Sequence, residues 1–292
     1  MAIKAPPLYG QQGMTLIELM IAMVFSSFVI AAIVMAFRSQ ETSSLVQETV
    51  TAMQQNNAAA MNIMTRELRM AGYDLTESGI PGFTTASSSL INFTADLNDD
   101  GDVSDTNENI SYGFKITADP SDTFPDDDDS DRNGIANAGV ADLRRDTGGG
   151  MQSMAEGIQA FNFAYAYDAN GDGILDQYTI PVGNPNAGQQ RTIWAFDSGG
   201  IWYDLDTNSD GDLDALDDTN GDGVIDGRNT TTTSSVSDVR AVRIWILARS
   251  NRKDSKLTDT NTYVVGRRVL IPNDRFYRRL LTTTVTCRNM GL

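Results

Sequence analysis

Three stretches of this chain place side-chain oxygens at one repeated spacing. They begin at Asp168, Asp206 and Asp218 and read DANGDGILD, DTNSDGDLD and DTNGDGVID. Positions one, three, five and nine are Asp168, Asn170, Asp172 and Asp176 in the first, and Asp206, Asn208, Asp210 and Asp214 in the second. The third supplies Asp218, Asn220, Asp222 and Asp226. Position six is glycine throughout. A hard calcium ion takes six to eight oxygens, a glycine at this place permits the sharp turn that points them inward, and position seven can add its backbone carbonyl. An apolar residue at position eight (Leu175, Leu213 or Ile225) is suited to anchor each loop, and Asp217 falls at the twelfth position of the Asp206 loop. Two further stretches are weaker candidates. Asp96, Asn98 and Asp100 precede Ser104 at position nine, with Asp105 next, whereas Asp129, Asp131, Asn133 and Asn137 fill all four positions but lie in an acidic run that reads equally as a solvated loop. The alternative for each is an Asx-rich surface turn, since Asp, Asn and Gly favour turns without any metal.

The flanks of these loops read as strands, so they resemble EF-hand ligand loops without EF-hand helices. Their likeness to dockerin and thrombospondin-type calcium loops is local. Without a cation the clustered carboxylates repel one another, and calcium would offset that repulsion and order the connections. Extracellular loops of this kind bind at about 10⁻⁴–10⁻³ M, which implies a structural rather than signalling ion.

Other chemistry is bounded by composition. The 292 residues contain no histidine, which removes serine–histidine and cysteine–histidine catalysis, and no carboxylate pair stands out as catalytic. We expect no enzyme. Cys287 is the only cysteine, so no intrachain disulfide forms. A net charge of -17 opposes direct nucleic-acid binding, which depends on clustered cations. The charge is uneven: from Arg240 onward twelve Lys/Arg face three acids, +9, which leaves -26 for the rest. That basic third is either a partner surface or a sheet face that is solvated or paired within the molecule.

The elements that carry the loops begin with a long helix. Residues 14–37 are almost wholly apolar with one charge, Glu18, and as a helix would span roughly 36 Å, enough for a bilayer core. A carboxylate in such a helix needs a partner, or a place near the wet interface. Beyond it, Val46, Val50, Met53, Asn57, Met61, Met64 and Leu68 recur at three- and four-residue steps, so the helix is predicted to continue to Gly72, where it stops. Strands are predicted at 90–93, 110–116, 158–167, 178–181, 193–196, 201–203, 239–248, 263–271 and 276–285, with a hairpin turn over 197–200. The expected fold is α+β: a membrane-spanning half-helix, an amphipathic continuation over 38–72, and an antiparallel sheet domain over 73–292.

Residues 13–23, GMTLIELMIAM, resemble the processing site of type IV prepilins. The resemblance implies that a prepilin peptidase cuts between Gly13 and Met14, removes the leader 1–13 and methylates the new N-terminus. Glu18 then becomes the fifth mature residue, whose carboxylate is thought to neutralise a neighbouring subunit's terminal amine during assembly. Met14 departs from the family's usual phenylalanine. Three blocks are similar to the minor pilins usually called the PilW family: Arg66-Glu67-Leu68-Arg69-Met70-Ala71-Gly72-Tyr73, the strand running into Asp168–Gly173, and Tyr277-Arg278-Arg279-Leu280-Leu281 with Arg288-Asn289. Major pilins often close a C-terminal loop with a disulfide, and a lone Cys287 fits a minor component instead.

The resemblance implies an inner-membrane protein, its C-terminus outside the cytoplasm, that later joins a surface filament in pilus assembly. Its partners would be major and minor pilins and a tip adhesin, and the pilus would serve adhesion, motility or DNA uptake. Two alternatives stand beside it: a minor pseudopilin of a type II secretion system, and an uncleaved membrane-tethered calcium-binding adhesion module.

Overall fold

A computed structural model describes residues 13–79, 82–115, 128–230 and 234–291. The chain divides into two units, Met1–Thr49 and Val50–Leu292. The leader apart from Gly13, and Ile116 at the end of one predicted strand, lie outside the described residues.

In the first unit the backbone of residues 13–15 leads into helix α1 (Leu16–Leu68). The large apolar side chains between Leu16 and Phe37 are exposed, and the helix is long and apolar enough to cross a membrane. Its serines do not spoil that surface. The hydroxyls of Ser26 and Ser27 donate to the carbonyls of Ala22 and Val24, both at 2.7 Å, so neither needs water. The helix is shorter than the predicted span of 14–71, because the backbone tightens into turns over 69–72 and Gly72 adopts φ +75°.

Among the described residues of the second unit, fourteen strands follow. The first five are β1 (Phe83–Ala86), β2 (Leu90–Thr94), β3 (Asn109–Gly113), β4 (Ala141–Asp146) and β5 (Gln152–Tyr167). The next five are β6 (Gln177–Thr179), β7 (Gln190–Thr192), β8 (Ala195–Ser198), β9 (Ile201–Asp204) and β10 (Arg228–Asn229). The last four are β11 (Val239–Lys253), β12 (Tyr263–Val265), β13 (Arg268–Leu270) and β14 (Phe276–Thr286). Ten of them form one antiparallel sheet. It runs β1-β2-β3-β4-β5-β8-β9-β10, while β11 pairs with the other edge of β5 and β14 with β11.

The long central strands are buried on both faces, and their alternation shows how. Phe161, Phe163, Tyr165 and Tyr167 of β5 join one core with Met53, Met61, Met64 and Leu68 of α1. Ala160 and Ala164 point the other way, into a second core with Phe196, Leu205, Ile225, Trp245 and Leu247. The methionine stripe is therefore core, as its spacing predicts.

Three sequence expectations change. Residues 263–271 form two strands, because Gly266 takes φ +56° and β12 folds back onto β13. Strand 193–196 shifts to Ala195–Ser198, and its hairpin to β9 turns on Gly199-Gly200 alone. Strands β1, β4, β7 and β10 have no counterpart among the predictions; the Arg144-Arg145 pair in β4 masks its strand character.

The arginines of the basic third are used within the fold at several points. Arg243, Arg249 and Arg267 lie over Trp194, Phe276 and Phe196, each 4.3 Å from the ring centroid. Buried Arg278 pairs with Asp274 at 2.6 Å and Asp259 at 3.1 Å. Glu67, in the last turn of α1, accepts from the Tyr112 hydroxyl and from Arg145 Nε at 2.9 Å, which ties the helix to β3 and β4. Asn289 Nδ2 donates to the Arg69 carbonyl at 3.2 Å, and Met290 covers Gly72, so the blocks at 66–73 and 277–289 meet.

Candidate functional site

All five acidic stretches fold into the same turn. The carboxylate at position one accepts the N–H of the position-six glycine: Asp96 from Gly101 at 2.9 Å, Asp129 from Gly134 at 2.8 Å, Asp168 from Gly173 at 2.9 Å, Asp206 from Gly211 at 2.8 Å, and Asp218 from Gly223 at 2.8 Å. These glycines share φ between +80° and +93°, the left-handed region that an L side chain disfavours. In four loops the position-three Asn also accepts the position-five N–H, at 3.0 Å for Asn98, 3.0 Å for Asn170, 2.9 Å for Asn208 and 3.0 Å for Asn220. The Asp96 and Asp129 stretches, the weaker candidates by sequence, take the turn as well as the others. In the latter, the N–H of Ile135 reaches Asn133 Oδ1 at 2.7 Å, and Asn133 Nδ2 touches Asp131 at 2.5 Å.

The position-eight anchors differ. Ile225 is buried in the second core and Leu213 packs against it, whereas Leu175 is half-buried and belongs to neither core cluster.

What closes each loop also differs. In the Asp206 loop, buried Asp217 accepts the N–H of Asn208 at 3.3 Å and of Asp214 at 3.0 Å. Burial pushes its carboxyl up to about 7, against the backbone donors that favour its charged form. Asp214, at position nine, instead caps the short 3-10 helix Ala215–Asp217 by accepting from Leu216 N at 2.7 Å. The Asp96 loop has a closing acid that the spacing did not single out. Glu108 is buried, and its Oε1 accepts the N–H groups of Leu97 and Asn98 at 3.0 and 3.2 Å, the same service Asp217 performs. It stands one residue beyond the twelfth position, which a fixed register overlooks. A search for any acid near the loop's return would have found it.

Among the described residues, the Asp168 and Asp218 loops are closed by their position-nine acids. Asp176 accepts from Ala169 N at 3.4 Å, and Asp226 from Asn220 Nδ2 at 3.3 Å. Burial raises the carboxyls of Asp129, Asp176 and Asp206, so each resists ionising where it sits. The donors are carboxylates, amides and main-chain carbonyls, all hard oxygens. They fit calcium or magnesium and not a thiophilic metal.

At the other end of the chain, Gly13 and Met14 are exposed and precede the helix, so the bond between them lies outside the helical hydrogen bonding. Glu18 is also exposed. Its carboxylate accepts from the N–H and hydroxyl of Thr15, both at 2.9 Å, and the Thr15 hydroxyl accepts from Glu18 N at 3.3 Å. This is a capping box, a local use for the acid within one chain.

Comparison with known proteins bears on the C-terminal part. Residues 200–289 match the PilW family, Type IV Pilus-assembly protein W. The matched stretch runs from β9 past β14, holds the Asp206 and Asp218 loops, and includes the block at 277–289. Among solved structures, the type IV-like pilin TTHA1219 from Thermus thermophilus is 13% identical, with 82% of this chain and 98% of that chain covered and a TM-score of 0.36. That likeness is too low to carry an argument. No curated protein matches.

Proposed function

We propose that this protein is a minor pilin, a structural subunit that a prepilin peptidase processes and that helps initiate or build a type IV pilus. The observation that carries the reading is the exposed apolar helix over 14–37, opened by Gly13, Met14 and Glu18, in a chain whose residues 200–289 match the pilus-assembly family. Before assembly the helix sits in the inner membrane. After cleavage it leaves the bilayer for a filament core, where its apolar surface meets those of other pilins.

Glu18 is the register element in this reading. Removal of residues 1–13 creates an amino terminus at Met14, four residues before Glu18, and a neighbour's terminus supplies the cation that pairs with Glu18. Leaving either charge unpaired in an apolar core costs several kcal/mol (about 3–5 for a buried pair broken on one side), so wrong registers are rejected. In the external domain, calcium held by the Asp168, Asp206 and Asp218 loops orders the long connections between strands.

Mass spectrometry of sheared surface filaments tests the proposal. The expected result is a first peptide starting at N-methylated Met14, absent from filaments of a Glu18→Ala strain. A protein that keeps residues 1–13 and stays in the membrane would instead make α1 a plain anchor, with Glu18 serving only its capping box.

A further inference from the structure

We infer that the loop from Asp96 to Glu108 is a calcium site of its own, completed by the buried carboxylate of Glu108. The side chain is 2% exposed. Its Oε1 is engaged by the N–H groups of Leu97 and Asn98, which fixes the carboxylate inside the loop. Its other oxygen, Oε2, is fully buried and has no hydrogen-bond partner among the described residues. A buried carboxylate oxygen left without a donor is costly, and a cation is the partner that this position can supply.

The surroundings are those of a cation site. One carboxylate oxygen from each of Asp100, Asp102 and Glu108 lies within 4.8 Å of the others, with no arginine or lysine side chain paired to any of them by a described salt bridge. Asp96 and the Asn98 amide face the same turn, and Asp102, at position seven, can add its main-chain carbonyl. That set supplies the six or more hard oxygens calcium takes, with an irregularity that octahedral magnesium tolerates poorly.

The site's position gives it a task. Asp96 N donates to the Tyr73 carbonyl at 2.9 Å, Gly72 N to the Thr94 carbonyl at 3.0 Å, and Thr76 Oγ1 to Asp96 Oδ2 at 3.3 Å. Ala95 N donates to the Glu108 carbonyl at 2.9 Å. An ion here clamps the segment after α1 onto β2 and β3. The inference stands on these side chains and does not depend on the filament reading, sharing with the other loops only the choice of ion.

Hydrogen-exchange mass spectrometry on the full chain in detergent tests it, with EGTA compared against calcium chloride. At about 1 mM calcium and a Kd of about 10⁻⁴ M, mass action predicts roughly tenfold slower exchange across 96–108. Glu108→Gln should abolish that slowing and leave the calcium responses of 168–176 and 206–226 intact. Should Glu108→Gln fail to fold, the exposed pair Asp100→Asn and Asp102→Asn should abolish it equally. Exchange over 96–108 that ignores calcium in the wild type, while the other loops respond, would overturn this site alone. Slowing that survives either variant, or that magnesium alone reproduces, would overturn it as well. If only 96–108 responds, this site stands and calcium at the other loops does not.

Discussion

The Asp96 and Asp206 loops share a turn with the Asp168 and Asp218 loops but differ in how that turn is closed. In the first pair a buried acid, Glu108 or Asp217, returns from about twelve residues downstream and binds the loop's own N–H groups. In the second pair no such acid is present among the described residues, and position nine does the closing. The first pair also holds a non-glycine residue at position four with positive φ, Asp99 at +62° and Ser209 at +61°, where the second pair has Gly171 and Gly221. A left-handed non-glycine residue is strained, and persists where its surroundings over-determine it. The same motif thus yields two grades of site. One is preorganised around an extra buried carboxyl group, and the other is looser.

Removing calcium should produce the largest effect. Each occupied site at ~1 mM calcium and Kd ~10⁻⁴ M adds about 1.4 kcal/mol, so EGTA should lower the melting temperature of the full chain by several degrees. Calorimetry with and without chelator would show it, and identical traces would remove calcium from all the loops. The comparison itself is broken or sharpened next. Asp217→Asn should erase more of the calcium-dependent stabilisation than Asp226→Asn, and titration calorimetry should resolve two affinity classes about tenfold apart, since ligand charge and rigidity tune these loops. Equal losses from the two variants would erase the distinction.

A smaller effect lies in pH. Asp217 in the folded, calcium-free protein titrates near 7, against an ordinary aspartate value of about 3.9 when unfolded. The folded state therefore holds a proton that the unfolded chain has lost, and stability in EGTA falls as pH rises from about 4 through 7. Calcium binding must expel that proton, so affinity at this loop should climb over the same range. Asp217→Asn should flatten both slopes, as denaturant titrations at pH 5 and 8 would show. The smallest effect concerns position four. Asp99→Gly relieves the left-handed strain and should raise stability in EGTA by no more than about 1 kcal/mol.

Much of the second unit was legible early. The spacing of Met53, Met61, Met64 and Leu68 located the buried helical face, and strand character over 158–167 and 239–248 located the two central strands. The strand carrying Arg144 and Arg145 was not legible, because one of those arginines pairs with Glu67, far along the chain. The hairpin inside 263–271 was hidden because Val264, Val265, Val269 and Leu270 read as one apolar run until Gly266 turns it.

Each acidic loop's turn was determined by sequence alone, because its hydrogen bonds join residues no more than five apart and its glycine sits where φ must be positive. Which loops acquire a buried closing acid was decided by tertiary structure. Glu108 reaches the Asp96 loop because it leads directly into β3, whose pairing with β2 sets the return, and Asp217 is buried by the short helix that Asp214 caps. Local bonds need only neighbours in the chain. Burying a carboxylate needs the sheet, which draws together residues whose spacing carries no sign of it.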